Sequence, residues 1–156
     1  MFNISQFREL IIKSTLNDLN LYSPEAEELL VFTCAVESRG GSDLKQFNGP
    51  ALGIYQMEPN TYTDLWANYI NNHNQLRTIL VTNFEVNRIP SPERLIYDLR
   101  YATAMARLFY ARIKEPLPYL DDPENLWWYY KKYYNTFNGA AHKDFAMLSY
   151  HCFKGN

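Results

Sequence analysis

Residues 29 to 36 read LLVFTCAV, eight positions without a charge between the acidic PEAEE and the ESRGG that follows. A helix with no polar face must be buried on most sides, so the other elements of the chain have to pack around it. Its start is marked by Ser23, Pro24 and Glu25, which offer a cap, a first-turn proline and an early acid. Gly40 and Gly41 mark its end and leave Glu37 as the single acid of the last turn. Desolvation and the negative end of the helix dipole both oppose ionisation there, so a raised pKa is expected if Glu37 faces a cleft. A carboxyl still protonated near neutral pH can donate a proton to a leaving group. The structural counterpart is a solvated last-turn residue or one arm of an ion pair. Arg39 does not cancel the expectation, because residues two apart on a helix point to different faces.

The 156 residues suit one domain spanning 1–156. SPE at 91–93 and DPE at 122–124 repeat the helix-start pattern of 23–25. From 92, Leu95, Leu99, Ala102, Ala106, Phe109 and Ile113 step by four and three, which predicts one long central helix stopped by Pro116. ISQFRELIIKSTLNDL and HKDFAMLSYHCF carry weaker helical patterns. Residues 42–58, with their glycines and a proline, predict a short hairpin or irregular loop. The expected fold is mainly α with one small extended excursion after Glu37. Aromatic residues form 16% of the chain and crowd into WWYYKKYYNTF at 127–137, more than one helix face can bury. Some of these rings are expected to line a surface. Trp127 and Trp128 are adjacent on one predicted helix, so at least one belongs to the core.

With 15 basic against 17 acidic residues, the balance disfavours nucleic acid and an anionic membrane surface as partners. No apolar segment approaches the roughly 20 residues of a membrane span, and the N-terminal sequence lacks the order of a signal peptide. Synthesis in the cytoplasm without an export route of its own is expected. Cys34 and Cys152 are expected to be two buried, unbonded thiols. His73, His142 and His151 are scattered without ligand spacing, so neither a metal nor a cofactor is expected.

Three segments then gain meaning from their order: ES at 37–38, GIYQ at 53–56 and YN at 134–135. Together they resemble the motifs of lytic transglycosylases with the goose-type lysozyme fold, which read roughly ES, GLMQ and AYN. ALGIYQMEPNTY runs in step with that family's GLMQLMPAT, and LIYDLRYATAMARLFYARI resembles its following long helix. The resemblance covers about 23–140 and implies a lysozyme-like domain. It makes Glu37 the general acid and base, with Ser38 beside it helping to hold the acid. Gly53 lets the backbone approach the sugar, and Gln56 offers an amide to the substrate. Tyr134 supplies a hydroxyl to the catalytic carboxyl, and Asn135 supports the adjacent loop. Each has a structural counterpart: a turn glycine, a surface amide, a half-buried ring, a helix cap. The sequence departs from the family at Arg39, Gly40 and Gly41, at Tyr55 in place of methionine, and in YNTFNGA, which stretches the third motif. Whether Tyr133 or Tyr134 points inward stays open.

The resemblance implies peptidoglycan glycan as substrate, gripped by aromatic rings and amides, with Tyr55, Tyr62, Trp66 and Tyr134 as candidate cleft rings. It implies cleavage of the β-1,4 bond between N-acetylmuramic acid and N-acetylglucosamine, with closure of a 1,6-anhydro ring by Glu37 acting again as base. A hydrolytic muramidase would instead need a second carboxylate, for which Asp43, Glu58 and Asp64 are candidates. A non-catalytic wall-binding or structural protein with this fold is the reading from another class. By family analogy, the chain would be a bacteriophage-type lytic protein, carried on the virion beside other phage proteins or released at lysis.

Overall fold

The computed structural model describes residues 1–136 and 139–155. Helix α1 (Ile4–Gln6) runs through a π-helical stretch (Phe7–Lys13) into α2 (Ser14–Asp18). The uncharged run forms α3 (Pro24–Ser38), where Ser23 caps the first turn by accepting from the Ala26 N–H. After an irregular excursion come α4 (Pro59–Asn68), a 3₁₀ turn (Ile70–Asn72) and α5 (Asn74–Phe84). Then follow α6 (Arg94–Tyr97), α7 (Leu99–Ala111), α8 (Pro123–Tyr130) with a π-helical continuation (Lys131–Asn135), and α9 (Lys143–Lys154). The fold is mainly helical.

Helix α3 is buried on every side from Ala26 to Val36, as its lack of a polar face requires. It packs on α9, α7, α8 and the Phe7–Lys13 stretch. Leu29, Leu30, Val31 and Phe32 are almost fully buried, each contributing about 1.5–3 kcal/mol of hydrophobic stabilisation. Asp122 caps α8 by accepting from the Asn125 N–H.

The long helix expected from 92 onward is two helices. Asp98 leaves helical geometry (φ −113°, ψ 94°), and its carboxylate accepts from the Tyr101 N–H to cap α7. Its other oxygen is held by Arg94 Nε at 2.9 Å. A mid-stripe aspartate thus prefers the cap to the helix interior, while the four-residue step from Leu95 to Leu99 keeps the apolar face aligned across the joint. Ser91 is not the cap expected of it. Its hydroxyl donates to the Glu93 carboxylate, and α6 opens from a tight turn in which Arg94 and Leu95 N–H groups bond the Ser91 and Pro92 carbonyls.

No strand forms among the described residues, and the excursion after α3 is a loop with two isolated antiparallel bridges, Lys45 to Leu52 and Leu52 to Met57. Its turn needs Gly53, which has φ +73° and sits so close to the Leu95 carbonyl that a Cβ would lie 2.1 Å from that oxygen. Cys34 is buried, but Cys152 is exposed on α9, because the helix buries Ala146, Tyr150 and Phe153 and turns position 152 outward.

Candidate active site

Glu37 lies in the last turn of α3 and lines a cleft of about 630 Å³. Gln56 and Glu58 from the excursion, Phe109 from α7, Tyr130 and Tyr134 share that lining. The Glu37 carboxyl accepts one hydrogen bond among the described residues, from the Tyr130 hydroxyl at 2.6 Å. Burial pushes its pKa up to about 7, against the Tyr130 hydrogen bond and the Lys131 charge, which favour the ionised form. A carboxyl with that midpoint is protonated in a large fraction of molecules at neutral pH, so it can give a proton and take one back.

The surrounding phenols hold the acid's partner in place. Tyr130 stacks on Tyr134 with ring centroids 6.1 Å apart and meets Phe32 edge-on. Tyr134 stacks on Tyr110 at 5.4 Å and donates its hydroxyl to the Tyr55 carbonyl at 2.8 Å. Tyr110 in turn shares a 2.8 Å hydrogen bond with Thr33, one helical turn before Glu37. Burial raises the pKa of all three phenols, so they remain protonated donors. Tyr130 ends α8, and Tyr134 follows in the π-helical continuation Lys131–Asn135; such local π turns occur often at functional sites.

Several expected site residues take other places. The hydroxyl on the Glu37 carboxyl is Tyr130's and not Tyr134's, although Tyr134 does line the cleft. Tyr133 turns away and donates to Glu115. Ser38 is buried and does not line the cleft. Its hydroxyl donates to the Ile54 carbonyl at 2.6 Å and accepts from the Gly41 N–H, tying the end of α3 to the excursion. Gly53 is likewise buried, and its close backbone approach is to Leu95 and not to open space.

The Tyr55 ring points into the core, where its hydroxyl meets Thr103 at 3.3 Å; only its carbonyl serves the site. Tyr62 and Trp66 are core residues too. With Leu65 they form the buried face of α4, and their polar ends are satisfied by Pro90 and Tyr101. Trp127 is in the core and Trp128 is exposed.

Gln56 lines the cleft, its φ of 45° held by an Nε2 hydrogen bond to the Gly53 carbonyl at 2.7 Å. Asn135 lines it as well, with Oδ1 accepting from Lys131 Nζ at 2.7 Å. Phe137 and Asn138, inside the stretched third motif, lie outside the described residues. Of the candidate second carboxylates, Asp43 is clamped by Arg39 through two hydrogen bonds of 2.7 and 2.9 Å, away from the cleft. Asp64 is not in the first turn of a helix. It sits mid-way along α4, bonded to Asn68 and Arg112. Glu58 alone of the three lines the cleft, and it is exposed.

Among the described residues no cluster of three or more His, Cys, Asp or Glu side chains is placed to hold a metal ion. Tyr130 and Lys131 were not foreseen as site residues, since nothing in a run of four tyrosines and two lysines separates inward from outward positions. His142 and Phe145, at the start of α9, complete the lining from a segment whose sequence shows only a helical pattern. No protein-family model, curated protein or solved structure matches the chain. The resemblance to lytic transglycosylases is carried by three short segments and their order.

Proposed function

We propose that this chain is a peptidoglycan-cleaving enzyme of lysozyme-like fold that cuts the β-1,4 bond between N-acetylmuramic acid and N-acetylglucosamine as a lytic transglycosylase. The observation that carries the reading is Glu37, a carboxyl with a pKa near 7 in a cleft that also holds the Gln56 amide and Tyr134. Protonated Glu37 gives its proton to the glycosidic oxygen as that bond breaks. The carboxylate so formed then removes the proton of the muramic sugar's own 6-hydroxyl, which closes the anhydro ring and restores the acid. Tyr130, donating to Glu37, fixes the carboxyl and steadies it while it is ionised.

One observation favours a hydrolytic muramidase instead: Glu58 places a second carboxylate on the lining of the same cleft, where it could activate water. Mass spectrometry of the muropeptides released from purified walls separates the two. Anhydromuramyl ends, lighter by one water than reducing ends, are expected; reducing-end muramic acid alone makes the enzyme a hydrolase and assigns Glu58→Gln as the next inactivating variant. Wall binding without release of any muropeptide, equal in wild type and Glu37→Gln, makes the chain a wall-binding protein. A virion-borne or lysis-released phage protein is the setting that this activity suits.

A further inference from the structure

Lys131 is 8% exposed and forms no ion pair among the described residues, so its ammonium must be satisfied by neutral oxygens. Its three donors do this together: Nζ bonds Asn135 Oδ1 at 2.7 Å, the Gly139 carbonyl at 2.8 Å and the Ala141 carbonyl at 3.1 Å. All three acceptors belong to residues that line the cleft. The neighbouring Lys132 shows the contrast, being exposed and paired with Glu115.

We propose that Lys131 is a positioning residue, whose ammonium pins Asn135, Gly139 and Ala141 into the cleft lining and sets a fixed positive charge near Glu37. The charge matters because of what else faces that acid. Tyr130 donates to it, Tyr110 from α7 and Tyr134 stand behind it as neutral phenols, and Glu58 and His142 line the same cleft. Lys131 is the charged group that favours ionised Glu37. Ionised Glu37 is the base of the second step in the proposed reaction, so this inference rests on that reading for its catalytic meaning. Without the ammonium, the acid would give up its proton readily only at higher pH, and one side of the cleft would lose the hub of its hydrogen bonds.

Two variants of the full chain separate the strut from the charge. In Lys131→Met, the Glu37 carboxyl midpoint, followed by carbon NMR, is expected to rise. Amide exchange at Ala141, whose N–H also leans on Asn135, is expected to quicken about tenfold or more. In Lys131→Arg the charge is kept, so the midpoint should stay near that of wild type. Exchange at Ala141 should still quicken, because a planar guanidinium cannot meet three converging oxygens as an ammonium does.

The alkaline limb of wall lysis should follow the midpoint in both variants. An unmoved midpoint or unmoved exchange in the methionine variant overturns the proposal. Should that variant not fold, the arginine variant decides: faster exchange with an unmoved midpoint supports the proposal, and unchanged exchange overturns it. Wild-type protein that cleaves no wall would overturn the function proposed above, while the NMR and exchange readouts would still decide the role of Lys131.

Discussion

The two ends of α3 both carry glutamates drawn out of bulk solvent, Glu27 and Glu28 buried and Glu37 partly so, and treat them in opposite ways. At the N-terminal end, Glu27 and Glu28 are 6% and 7% exposed, yet Arg8 bonds both, at 2.8 and 2.7 Å. Tyr22 adds a donor to Glu27, and Tyr150 and Lys154 add theirs to Glu28. Burial alone would raise the Glu28 pKa, but the Tyr150 hydroxyl, Arg8 and Lys154 outweigh it and hold the carboxyl below its ordinary value. Glu37, at the other end, has one phenol and no cation in contact among the described residues, and its pKa rises. The helix dipole sharpens the contrast, favouring carboxylates in the first turn and opposing them in the last. Desolvation acts at both ends; the partners decide whether the carboxyl is held below its ordinary pKa or pushed above it.

The hardest test of that contrast is to neutralise one acid at each end. Glu37→Gln should lower wall lysis at least about a hundredfold while leaving wall sedimentation intact. Glu28→Gln should leave the rate per folded molecule within about twofold of wild type. Equal losses would erase the distinction. Next in size, Arg8→Met takes from two buried carboxylates the cation they share, leaving Glu27 with Tyr22 and Glu28 with Tyr150 and Lys154, and should cost about 3 kcal/mol at pH 7, read as a lower urea midpoint.

The same helix should then show the reverse sign at its other end. The folded state holds the Glu37 proton more tightly than the unfolded chain, so ionisation opposes folding. That penalty is absent below the ordinary value of 4.5 and complete above about 7. Glu37→Gln should therefore stabilise the protein by up to about 3 kcal/mol at pH 8 and by almost nothing at pH 4, measured by thermal unfolding at both. The smallest effect is expected of Tyr130→Phe, which removes one hydrogen bond from the carboxylate. It should cost about 1 kcal/mol and raise the Glu37 midpoint further, moving the alkaline limb of lysis upward.

What could be read in the sequence was whatever a local rule controls. Glu37 stood out because a single acid ended an uncharged run, and Ser23 and Asp122 announced their helices through cap chemistry that needs only neighbouring N–H groups. Asp98 obeys the same rule, but the apolar stripe continues across it and hid the break. The aromatic residues were less legible, because a ring with a polar end suits a cleft and a core equally well. Tyr62 and Trp66 went to the core because Tyr101 and the Pro90 carbonyl could satisfy their polar ends there, partners set by α7 and by the turn before α6. Tyr130 reached Glu37 from the last residue of α8, on the face that also buries Leu126 and Trp127, but two tyrosines in a row leave a helical pattern unable to say which of them meets the acid. Lys131 carried no signal in the sequence, because the three oxygens that hold its ammonium come from Asn135, Gly139 and Ala141, a convergence that no local pattern announces.

The contact between Gly53 and the Leu95 carbonyl bears on how the cleft could be redesigned. A side chain at 53 would strike backbone, so even alanine there must push on the joint between α6 and α7 and, through it, on the Asp98 cap. A library that randomises the excursion would spend most of its members on misfolded protein. Phe145, 53% exposed on α9 and already part of the lining, carries no such tie, and Thr61 on α4 is partly open. Variation at these two positions can alter what the cleft admits while the turn that carries Gln56 keeps its shape.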